Sequence, residues 1–423
     1  MLHPMNPFPH TAALPCFLCF LLAGCQLPHA QNEAGLTLNL SATDLSTDSI
    51  WAPLEQAIAA TLDSNAIPGA VLLVARNGEV IGHEAYGVSD PLTGEQMDKD
   101  ALFRICSQSK AIVSMSAMLL WERGAIGLDD PVSKYLPEFA EVGVLDTLLA
   151  DTTAQYSRPR SPLTVRHLMT HTSGIPYGEI GDERFEKLYA RYGVADLFPI
   201  DERSTRDNIA LLAQTGLAHH PGEQWTYGLG LDVLVAVLEV ASGQPYAEFL
   251  NTELLAPLGM DHTHFVVPQN QRDALVGVFD KDSDGNWQPH THRLYTTEYP
   301  TREDWPLCSG GAGLTSTAMD YARFLQMVLD RGAIPGGQLL KESTIDTLLA
   351  DHAPGLLDGG WHQGLTFGVQ NEPEGQGRFF WGGYFNTQYF GDPATGELAL
   401  IMKQTYGISD DQSYSTFSEV LNR

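Results

Sequence analysis

The chain has 423 residues, of which 52 are acidic and 24 are basic, so its formal net charge at pH 7 is -28. A surface with this excess of carboxylates repels a phosphate backbone, which excludes a nucleic-acid-binding protein. Hydrophobic residues make up 43% and charged residues 18%, a balance typical of globular rather than disordered chains. A chain of this length can bury a large core and can hold more than one lobe.

The first 24 residues contain no Asp, Glu, Lys or Arg. Their apolar run, 12–23, is too short to cross a bilayer and has the length of the apolar segment in a secretory signal peptide. It ends in Leu22-Ala23-Gly24-Cys25, which resembles the lipobox of bacterial lipoproteins. The resemblance implies acylation of Cys25, a lipid anchor in a membrane, and a place in the bacterial cell envelope, on its periplasmic side or at the cell surface. The alternative is an ordinary secretory signal that is cleaved nearby.

After the signal peptide, residues 25–48 are small and polar, which predicts a flexible tether to a domain over 49–423. The apolar run Ala70–Ala75, the dipeptide Asn77-Gly78 and the stretch from Val80 onward predict a β-hairpin from Gly69 to Val88, since Asn-Gly is the strongest two-residue hairpin signal. Further patterns predict helices over Lys110–Arg123, Leu231–Val240, Ala318–Leu329 and 412–422, and strands over 365–369, 378–381, 387–390 and 398–404.

Strands near both ends with helices between them predict an α+β fold. We expect one antiparallel sheet, formed by the N- and C-terminal segments and flanked by helices, with an inserted and mostly helical lobe. The predicted α/β lobe covers about 49–115 and 310–423, and the helical lobe about 116–309.

Ser107-Gln108-Ser109-Lys110 is the only S-x-x-K in the chain, and it opens an apolar predicted helix. A spacing of three puts both side chains on one helix face, and a helix N-terminus favours developing negative charge. A serine hydroxyl attacks once a neighbour takes its proton, and a lysine in a dry pocket can help. The motif predicts Ser107 as a nucleophile and Lys110 as its partner, against the alternative of a surface pair.

Two further segments carry possible chemistry. Tyr227, in Trp-Thr-Tyr-Gly-Leu, can act as a base if a cation such as Lys110 stabilises its phenolate, or it can simply pack at a helix start. Trp381-Gly382-Gly383 precedes Tyr384, and two glycines in a strand let a ligand approach the backbone. Such a strand suits an oxyanion hole, which needs free N–H groups, and the alternative is a β-bulge.

In their order along the chain, these segments resemble the class C β-lactamase-like serine hydrolases. S-x-x-K is the catalytic motif of β-lactamases and penicillin-binding proteins. Two more segments resemble loops of the same family: His171-Thr172-Ser173-Gly174 and the Gly-rich 309–317. The resemblance implies that Ser107 is acylated, that Lys110 shares in proton transfer, and that Tyr227 is the general base and acid. It also implies an oxyanion hole made by the backbone N–H groups of Ser107 and Tyr384.

Two departures from the family pattern point to the substrate. The family's Tyr-x-Asn ends here in Leu229, and its Lys-Thr-Gly is replaced by Trp381-Gly382-Gly383, so an amide and a cation are missing. This pair is similar to the family VIII carboxylesterases. It implies a small-molecule carboxylic ester bound near Leu229, Trp381, Gly382 and Gly383, with no metal or organic cofactor. Residues 176–225 and 285–308 are expected to line the acyl pocket.

Three other functions stay open. The motif Ser107, Lys110 and Tyr227 also serves a β-lactamase or a D-Ala-D-Ala carboxypeptidase, although the missing cation and amide argue against both. Related proteins of this fold pass the acyl group to an alcohol, so an acyltransferase is a further alternative. A catalytically silent surface protein that binds peptidoglycan or a partner is disfavoured by the intact motif.

Smaller motifs are interpreted as structural. His167 and His171 have the i, i+4 spacing of zinc ligands, but the Glu of a metalloprotease helix is missing between them. Residues 280–285 begin like a calcium loop but lack its Glu at position twelve. Cys106 is expected to pack beside Ser107, and Cys106 and Cys308 are expected to be free thiols rather than a disulfide pair.

Overall fold

The computed structural model of the chain describes residues 35–38, 45–198, 202–303, 306–371 and 377–422. The predicted signal peptide and Cys25 lie outside the described residues. The helices are α1 (Trp51–Asp63), α2 (Ser109–Glu122), α3 (Val165–Met169), α4 (Glu183–Tyr192), α5 (Thr205–Leu212), α6 (Gly230–Ser242), α7 (Tyr246–Leu250), α8 (Ala256–Leu258), α9 (Ala318–Leu329), α10 (Glu342–Leu349) and α11 (Gln412–Leu421). The strands are β1 (Thr37–Leu38), β2 (Gly69–Arg76), β3 (Glu79–Asp90), β4 (Glu95–Gln96), β5 (Phe103–Arg104), β6 (Val144–Leu148), β7 (Ala154–Ser157), β8 (Phe279–Lys281), β9 (Trp287–Pro289), β10 (Thr315–Ser316), β11 (Ala333–Ile334), β12 (Gly337–Gln338), β13 (Trp361–Gln363), β14 (Gly368–Gln370), β15 (Phe379–Gly383), β16 (Thr387–Asp392) and β17 (Glu397–Met402).

The predicted hairpin is confirmed as β2 and β3. Asn77 and Gly78 form its turn with φ angles of 51° and 80°, and two positive φ values are what a type I′ turn needs. Strand β2 also pairs antiparallel with β17, near the end of the chain. The main sheet has the order β1-β3-β2-β17-β16-β15-β14-β13, so N-terminal and C-terminal segments of the described residues build one sheet. The α+β prediction with an antiparallel sheet is therefore confirmed.

The main sheet is buried on both faces, which explains why β2 is apolar throughout. Ala70, Leu72 and Val74 belong to a core cluster with residues of α1 and α11. The alternate residues Val71 and Leu73 face a larger core on the other side, where α9 packs against β2, β16 and β17. Because side chains alternate between the faces, a strand covered on both sides needs apolar residues at nearly every position.

The helical segments follow the prediction closely. Helices α2, α6, α9 and α11 lie within two residues of the predicted bounds. Among the described residues, no single helix is long and apolar enough to cross a membrane. Only α6 and the segment Tyr246–Leu258 together reach that length and composition, and they are bent by 81°. The division into two lobes stays a prediction.

Two segments differ from the sequence-based expectation. Within the predicted tether, Thr37–Leu38 forms β1 and pairs in parallel with β3, so this part is attached to the sheet edge. The predicted strand 365–369 begins only at Gly368. Thr366 has a φ of 73°, outside the extended region, so the chain turns there before it enters β14.

Candidate active site

Ser107 and Lys110 lie one turn apart at the start of α2. Residues Cys106–Gln108 form a 3-10 turn that leads directly into the helix. Ser107 is half-buried, whereas Lys110 is only 1% exposed. The Lys110 Nζ lies 3.2 Å from the Ser107 Oγ. The structure therefore brings together the two residues that the S-x-x-K pattern singled out.

Three hydrogen bonds fix the ammonium group of Lys110. It donates to the Ser107 Oγ at 3.2 Å, to the Tyr177 hydroxyl at 3.1 Å and to the carbonyl oxygen of Gly311 at 2.7 Å. An ammonium group has three N–H donors and no acceptor, so these bonds use all of them. The amine is thus held at one orientation, with one of its three bonds directed at the predicted nucleophile.

Tyr227 contacts the same amine in a different way, through its ring. The Lys110 Nζ is 4.6 Å from the centre of the Tyr227 ring, and the Tyr227 and Tyr177 rings are 5.5 Å apart. This is the geometry of a cation–π contact, which attracts the ammonium to the ring face. Two phenols therefore flank Lys110, one bonded through its hydroxyl and one through its ring.

Tyr177 is a candidate that sequence reasoning missed. Burial, followed by the proximity of Tyr227 and Asp232, raises the pKa of Tyr177 well above its usual range. Its phenol therefore stays protonated and acts as a fixed polar partner of Lys110. Tyr177 comes three residues after the His-Thr-Ser-Gly loop, so a search that extended that motif by three positions would have found it.

The loops that carry the two tyrosines are held together by backbone contacts. The Tyr177 amide donates to the Tyr227 carbonyl at 3.3 Å, and the Thr226 amide donates to the His171 carbonyl at 2.6 Å. A Cβ on Gly228 would overlap the Ile175 carbonyl oxygen. Glycine after Tyr227 therefore lets the two loops approach closely enough for both phenols to reach Lys110.

His171 is buried in the middle of the site rather than at its surface. It is 1% exposed, and its ring centre lies 4.7 Å from that of Tyr227 and 6.1 Å from that of Trp381. Burial, followed by the charge of Lys110, lowers its pKa well below the usual value, so the ring is neutral. Neither ring nitrogen has a hydrogen-bond partner among the described residues.

The structure supports the structural interpretation of the smaller motifs. His167 forms a capping box with Thr164 at the start of α3. In the turn between β8 and β9, Asp282 accepts the backbone N–H groups of Asp284 and Asn286. Cys106 and Cys308 are free thiols, and burial raises the pKa of each to about 12. Cys106 is therefore a protonated packing residue at neutral pH.

The Gly-rich segment passes beneath α2 and supports Lys110. A Cβ on Gly311 would lie 2.7 Å from both the Asp232 Oδ2 and the Tyr177 hydroxyl oxygen, so only glycine fits there. The Ser309 hydroxyl donates to the Asp232 Oδ1 at 2.8 Å, and burial raises the pKa of that carboxyl. Asp232, in the first turn of α6, is the second site residue that the sequence did not indicate.

The last residues of strand β15 lie against the turn that carries Ser107. Its pairing with β16 is regular from Phe379 to Gly383, so the alternative interpretation as a bulge is wrong. A Cβ on Gly383 would overlap both the Ile105 carbonyl oxygen and the Thr387 Oγ1. The strand end therefore lies directly against the turn of Ser107, and Tyr384 follows it. The oxyanion-hole role of the two N–H groups stays a prediction.

The two residues that depart from the family pattern lie in different surroundings. Trp381 is half-buried, and its ring is 6.0 Å from that of Tyr227, so it borders the site. Leu229 is only 3% exposed and belongs to the main core. Leu229 therefore offers almost no surface to a ligand, and its contact with substrate stays a prediction.

Two cavities adjoin this group of residues. One of about 560 Å³ lies beside Tyr227 and is lined by polar residues that include Asp182, Arg184 and His219. The other, of about 310 Å³, lies between Trp225, Trp381 and the C-terminal helix α11. Residues between 176 and 225 line much of the polar cavity, whereas the apolar one is built mostly from residues after 360. The expected acyl pocket of 176–225 and 285–308 stays a prediction.

Comparison with known proteins identifies the family. The β-lactamase family profile matches residues 54–416. Esterase EstB of Burkholderia gladioli is 33% identical over 387 residues, which cover 87% of this chain and 94% of that protein. The solved structure of EstCE1, described as a hydrolase with promiscuous acyltransferase activity, has a TM-score of 0.75 at 26% identity, covering 88% of this chain and 98% of that chain.

More distant relatives share the architecture. Monacolin J acid methylbutanoyltransferase of Aspergillus terreus is 28% identical over 306 residues, which cover 70% of this chain and 69% of that protein. A penicillin-binding protein from Bacillus halodurans is 17% identical with a TM-score of 0.64, covering 87% of this chain and 98% of that chain, and shares the fold. The profile match extends over most of the chain and includes every residue of the site described above. The chain therefore belongs to the β-lactamase family.

Proposed function

We propose that this protein is a serine hydrolase that cleaves carboxylic esters through an acyl-enzyme on Ser107. The observation that carries the proposal is Lys110, whose Nζ lies 3.2 Å from the Ser107 Oγ and 4.6 Å from the Tyr227 ring centre. Trp381 replaces the family's cation in the substrate-binding strand, which favours an uncharged ester. The similarity to an esterase at 33% identity supports the same conclusion.

Acylation of Ser107 is the first half of the proposed reaction. Tyr227, its phenolate stabilised by Lys110, takes the proton of the Ser107 hydroxyl as the Oγ attacks the carbonyl carbon. The backbone N–H groups of Ser107 and Tyr384 bind the oxyanion of the tetrahedral intermediate. The bond from carbon to the alcohol oxygen then breaks, and Tyr227 returns the proton to that oxygen, so a neutral alcohol leaves.

Deacylation reverses the same steps with water in place of the alcohol. Tyr227 takes a proton from water as the water oxygen attacks the acyl carbon. The bond between that carbon and the Ser107 Oγ breaks, and the proton passes from Tyr227 back to Ser107. The products are a carboxylic acid and the free enzyme, and no other reactant is needed.

The test is hydrolysis of short p-nitrophenyl esters by the Ser107→Ala variant. We expect activity to fall to background and the acyl-enzyme mass shift to disappear, because the attacking oxygen is gone. Ser343→Ala, at an exposed position of α10, is the matched control and should keep full activity. Persistent hydrolysis by Ser107→Ala would overturn the nucleophile assignment and with it the proposed function.

Acyl transfer is the second candidate, favoured by the methylbutanoyltransferase relatives and by the promiscuous acyltransferase activity of EstCE1. An alcohol that occupies the position of the attacking water would give a new ester by the same steps. Product analysis in the presence of added butanol distinguishes the two. A transferase forms butyl ester at a constant excess over free acid, whereas a hydrolase forms chiefly the acid.

A β-lactam or D-Ala-D-Ala substrate is the alternative that the site disfavours. Trp381 carries no charge to bind the carboxylate of such a substrate. Parallel assays with nitrocefin and with p-nitrophenyl acetate separate these functions. Efficient nitrocefin turnover with negligible ester hydrolysis would overturn the esterase assignment.

We further propose that the protein is an exported bacterial lipoprotein with Cys25 as the lipidated residue. The lipobox-like Leu22-Ala23-Gly24-Cys25 after an uncharged apolar segment supports this. Expression of the full chain in a bacterial host with labelled palmitate tests it. The label should appear in the membrane-bound wild type and be lost in Cys25→Ala; equal labelling of both would contradict the proposal.

A further inference from the structure

The cavity of about 310 Å³ has an aromatic wall. Its lining includes Trp225, Trp361, Phe380, Trp381, Tyr414 and Phe417, and none of the described residues that line it is charged. An uncharged concave surface of this kind binds apolar groups, because burying them removes apolar area from water without leaving a charge unpaired.

Ring contacts hold the wall in place. The Trp361 ring lies 6.2 Å from those of Trp225 and Trp381 and 5.9 Å from that of Phe380, in edge-on arrangements with interplanar angles from 70° to 88°. Aromatic pairs prefer such edge-to-face geometry. The Trp225 Nε1 also donates a hydrogen bond to the Gln363 Oε1 at 3.0 Å. The wall of the cavity is therefore preformed.

The position of the cavity indicates which part of the ester it is near, the acyl part or the alcohol part. Trp225 and Trp381 each lie 6.0 Å, centre to centre, from the Tyr227 ring, so a single ring separates Tyr227 from the cavity. In the proposed mechanism Tyr227 protonates the leaving alcohol, so the alcohol oxygen must lie within hydrogen-bond reach of its hydroxyl. The group attached to that oxygen then extends toward the space beside Tyr227.

The two cavities near Tyr227 differ in charge, and Tyr227 itself lines only the larger one. The larger one is lined by Asp182, Glu183, Arg184 and His219, which suit water or a polar group. The aromatic one suits an apolar group. On this contrast we infer that the aromatic cavity binds the alcohol part of the ester and favours uncharged alcohols that carry an aromatic ring. The inference rests on the proposed esterase function and names its substrate class.

The test is a set of acetate esters that differ only in the alcohol, for example ethyl, benzyl and naphthylmethyl acetate. In the wild type, kcat/KM should rise from ethyl to naphthylmethyl. In Trp361→Ala, the ratio of the naphthylmethyl to the ethyl value should fall about tenfold, the loss expected for one ring contact. Trp287→Ala is the matched control, since Trp287 lies in the β8–β9 hairpin and lines neither cavity.

A second variant tests the inference independently in case Trp361→Ala fails to fold. Ser418 lines the cavity from α11, and Ser418→Trp would fill the space. It should lower kcat/KM for naphthylmethyl acetate much more than for ethyl acetate. Ethyl esters with different acyl groups complete the design, because neither variant should alter the preference among acyl chains.

The outcomes separate the inference from the function on which it rests. A wild type that does not prefer ring-bearing alcohols, or variants that change acyl preference instead, would overturn the inference and leave the esterase intact. Ester hydrolysis that survives Ser107→Ala would overturn the proposed function whatever the ratios are.

Discussion

Lys110 contacts two phenols in the site, each in a different way. The Tyr177 hydroxyl takes one of the three ammonium N–H donors at 3.1 Å, whereas Tyr227 presents its ring face. The buried, protonated Tyr177 is suited to orient the amine. Tyr227 is half-buried, and in the proposed mechanism its hydroxyl exchanges a proton with the substrate.

Replacing each phenol tests this division of roles. Tyr227→Phe should lower kcat by about 10²–10⁴, the usual contribution of a general acid–base, with a smaller effect on KM. Tyr177→Phe should lower kcat much less, because Lys110 keeps its hydrogen bonds to Ser107 and Gly311. Steady-state kinetics on p-nitrophenyl acetate measures both, with Tyr156→Phe as a control outside the site. A larger loss in Tyr177→Phe would make Tyr177 the base.

His171 should make the stability of the fold depend on pH. Its folded-state pKa lies below the value near 6.5 of an unfolded chain, because the buried ring resists protonation. The unfolded state therefore binds more protons below about pH 6.5, and the free energy of unfolding falls as the pH drops from there. One such histidine contributes at most about 1.4 kcal/mol per pH unit.

Urea unfolding between pH 7.5 and 5 measures this effect. His171→Asn removes the titrating ring and tolerates the φ of 56° at that position, since Asn accepts the left-handed region. The variant should lose stability more gradually than the wild type as the pH falls. His262→Asn, at an exposed histidine, should keep the wild-type slope. Parallel curves for wild type and His171→Asn would show that another group carries the pH dependence.

The sequence patterns identified some of these site residues and missed others, and the difference has a physical reason. Ser107 and Lys110 share one helical turn, so a local motif reveals them. Tyr177 is 67 positions from Lys110, and Asp232 is 77 positions from its partner Ser309. Such contacts depend on how the loops fold back over α2, which no local spacing encodes.

At the level of secondary-structure elements, the predictions from sequence patterns are confirmed where the local sequence determines the element. The Asn77-Gly78 turn fixes the β2–β3 hairpin, and apolar runs give α2, α6 and α9. Strand β13, with three residues, was not predicted, although Trp361 at its start forms a wall of the aromatic cavity. Strands this short owe their existence to pairing with a neighbour, here β14, rather than to their own sequence.

The end of β15 shows why an element needs a particular residue. Gly383→Ala would force its Cβ into the Ile105 carbonyl oxygen and the Thr387 Oγ1, both close to the turn of Ser107. The strand end must then move away from the nucleophile, and displacements of about 1 Å in an active site can cost about 10²-fold in rate. We expect such a loss in kcat with the far-UV circular dichroism retained.

Gly337→Ala is the matched control for this prediction. Gly337 also lies in a strand, β12, but a Cβ there would meet no atom within 4 Å. Its kcat should match the wild type. Full activity in Gly383→Ala would mean that the strand end is not held against the nucleophile as the structure indicates.

At the scale of the whole molecule, strands β2 and β3 near one end of the described chain and β15 to β17 near the other join in one sheet. The α+β class follows from the order of strands and helices, and the family resemblance supplies the topology. The pairing of β2 with β17 joins residues more than 300 positions apart, which element order alone does not specify. The aromatic cavity depends on the same closure, because α11 brings Tyr414 and Phe417 to it.

The net charge of -28 is also a property of the whole molecule, and it should discriminate among substrates by their charge. The negative potential repels an anionic ester before it reaches Trp381, where the family's cation is missing. Added salt shortens the Debye length from about 30 Å at 0.01 M to about 8 Å at 0.15 M and so weakens this repulsion. For p-nitrophenyl hemisuccinate, kcat/KM should therefore rise several-fold over this range. The kcat/KM for neutral p-nitrophenyl acetate should change little, and that for cationic acetylthiocholine should fall. If kcat/KM responds to salt in the same way for all three substrates, net charge does not govern access.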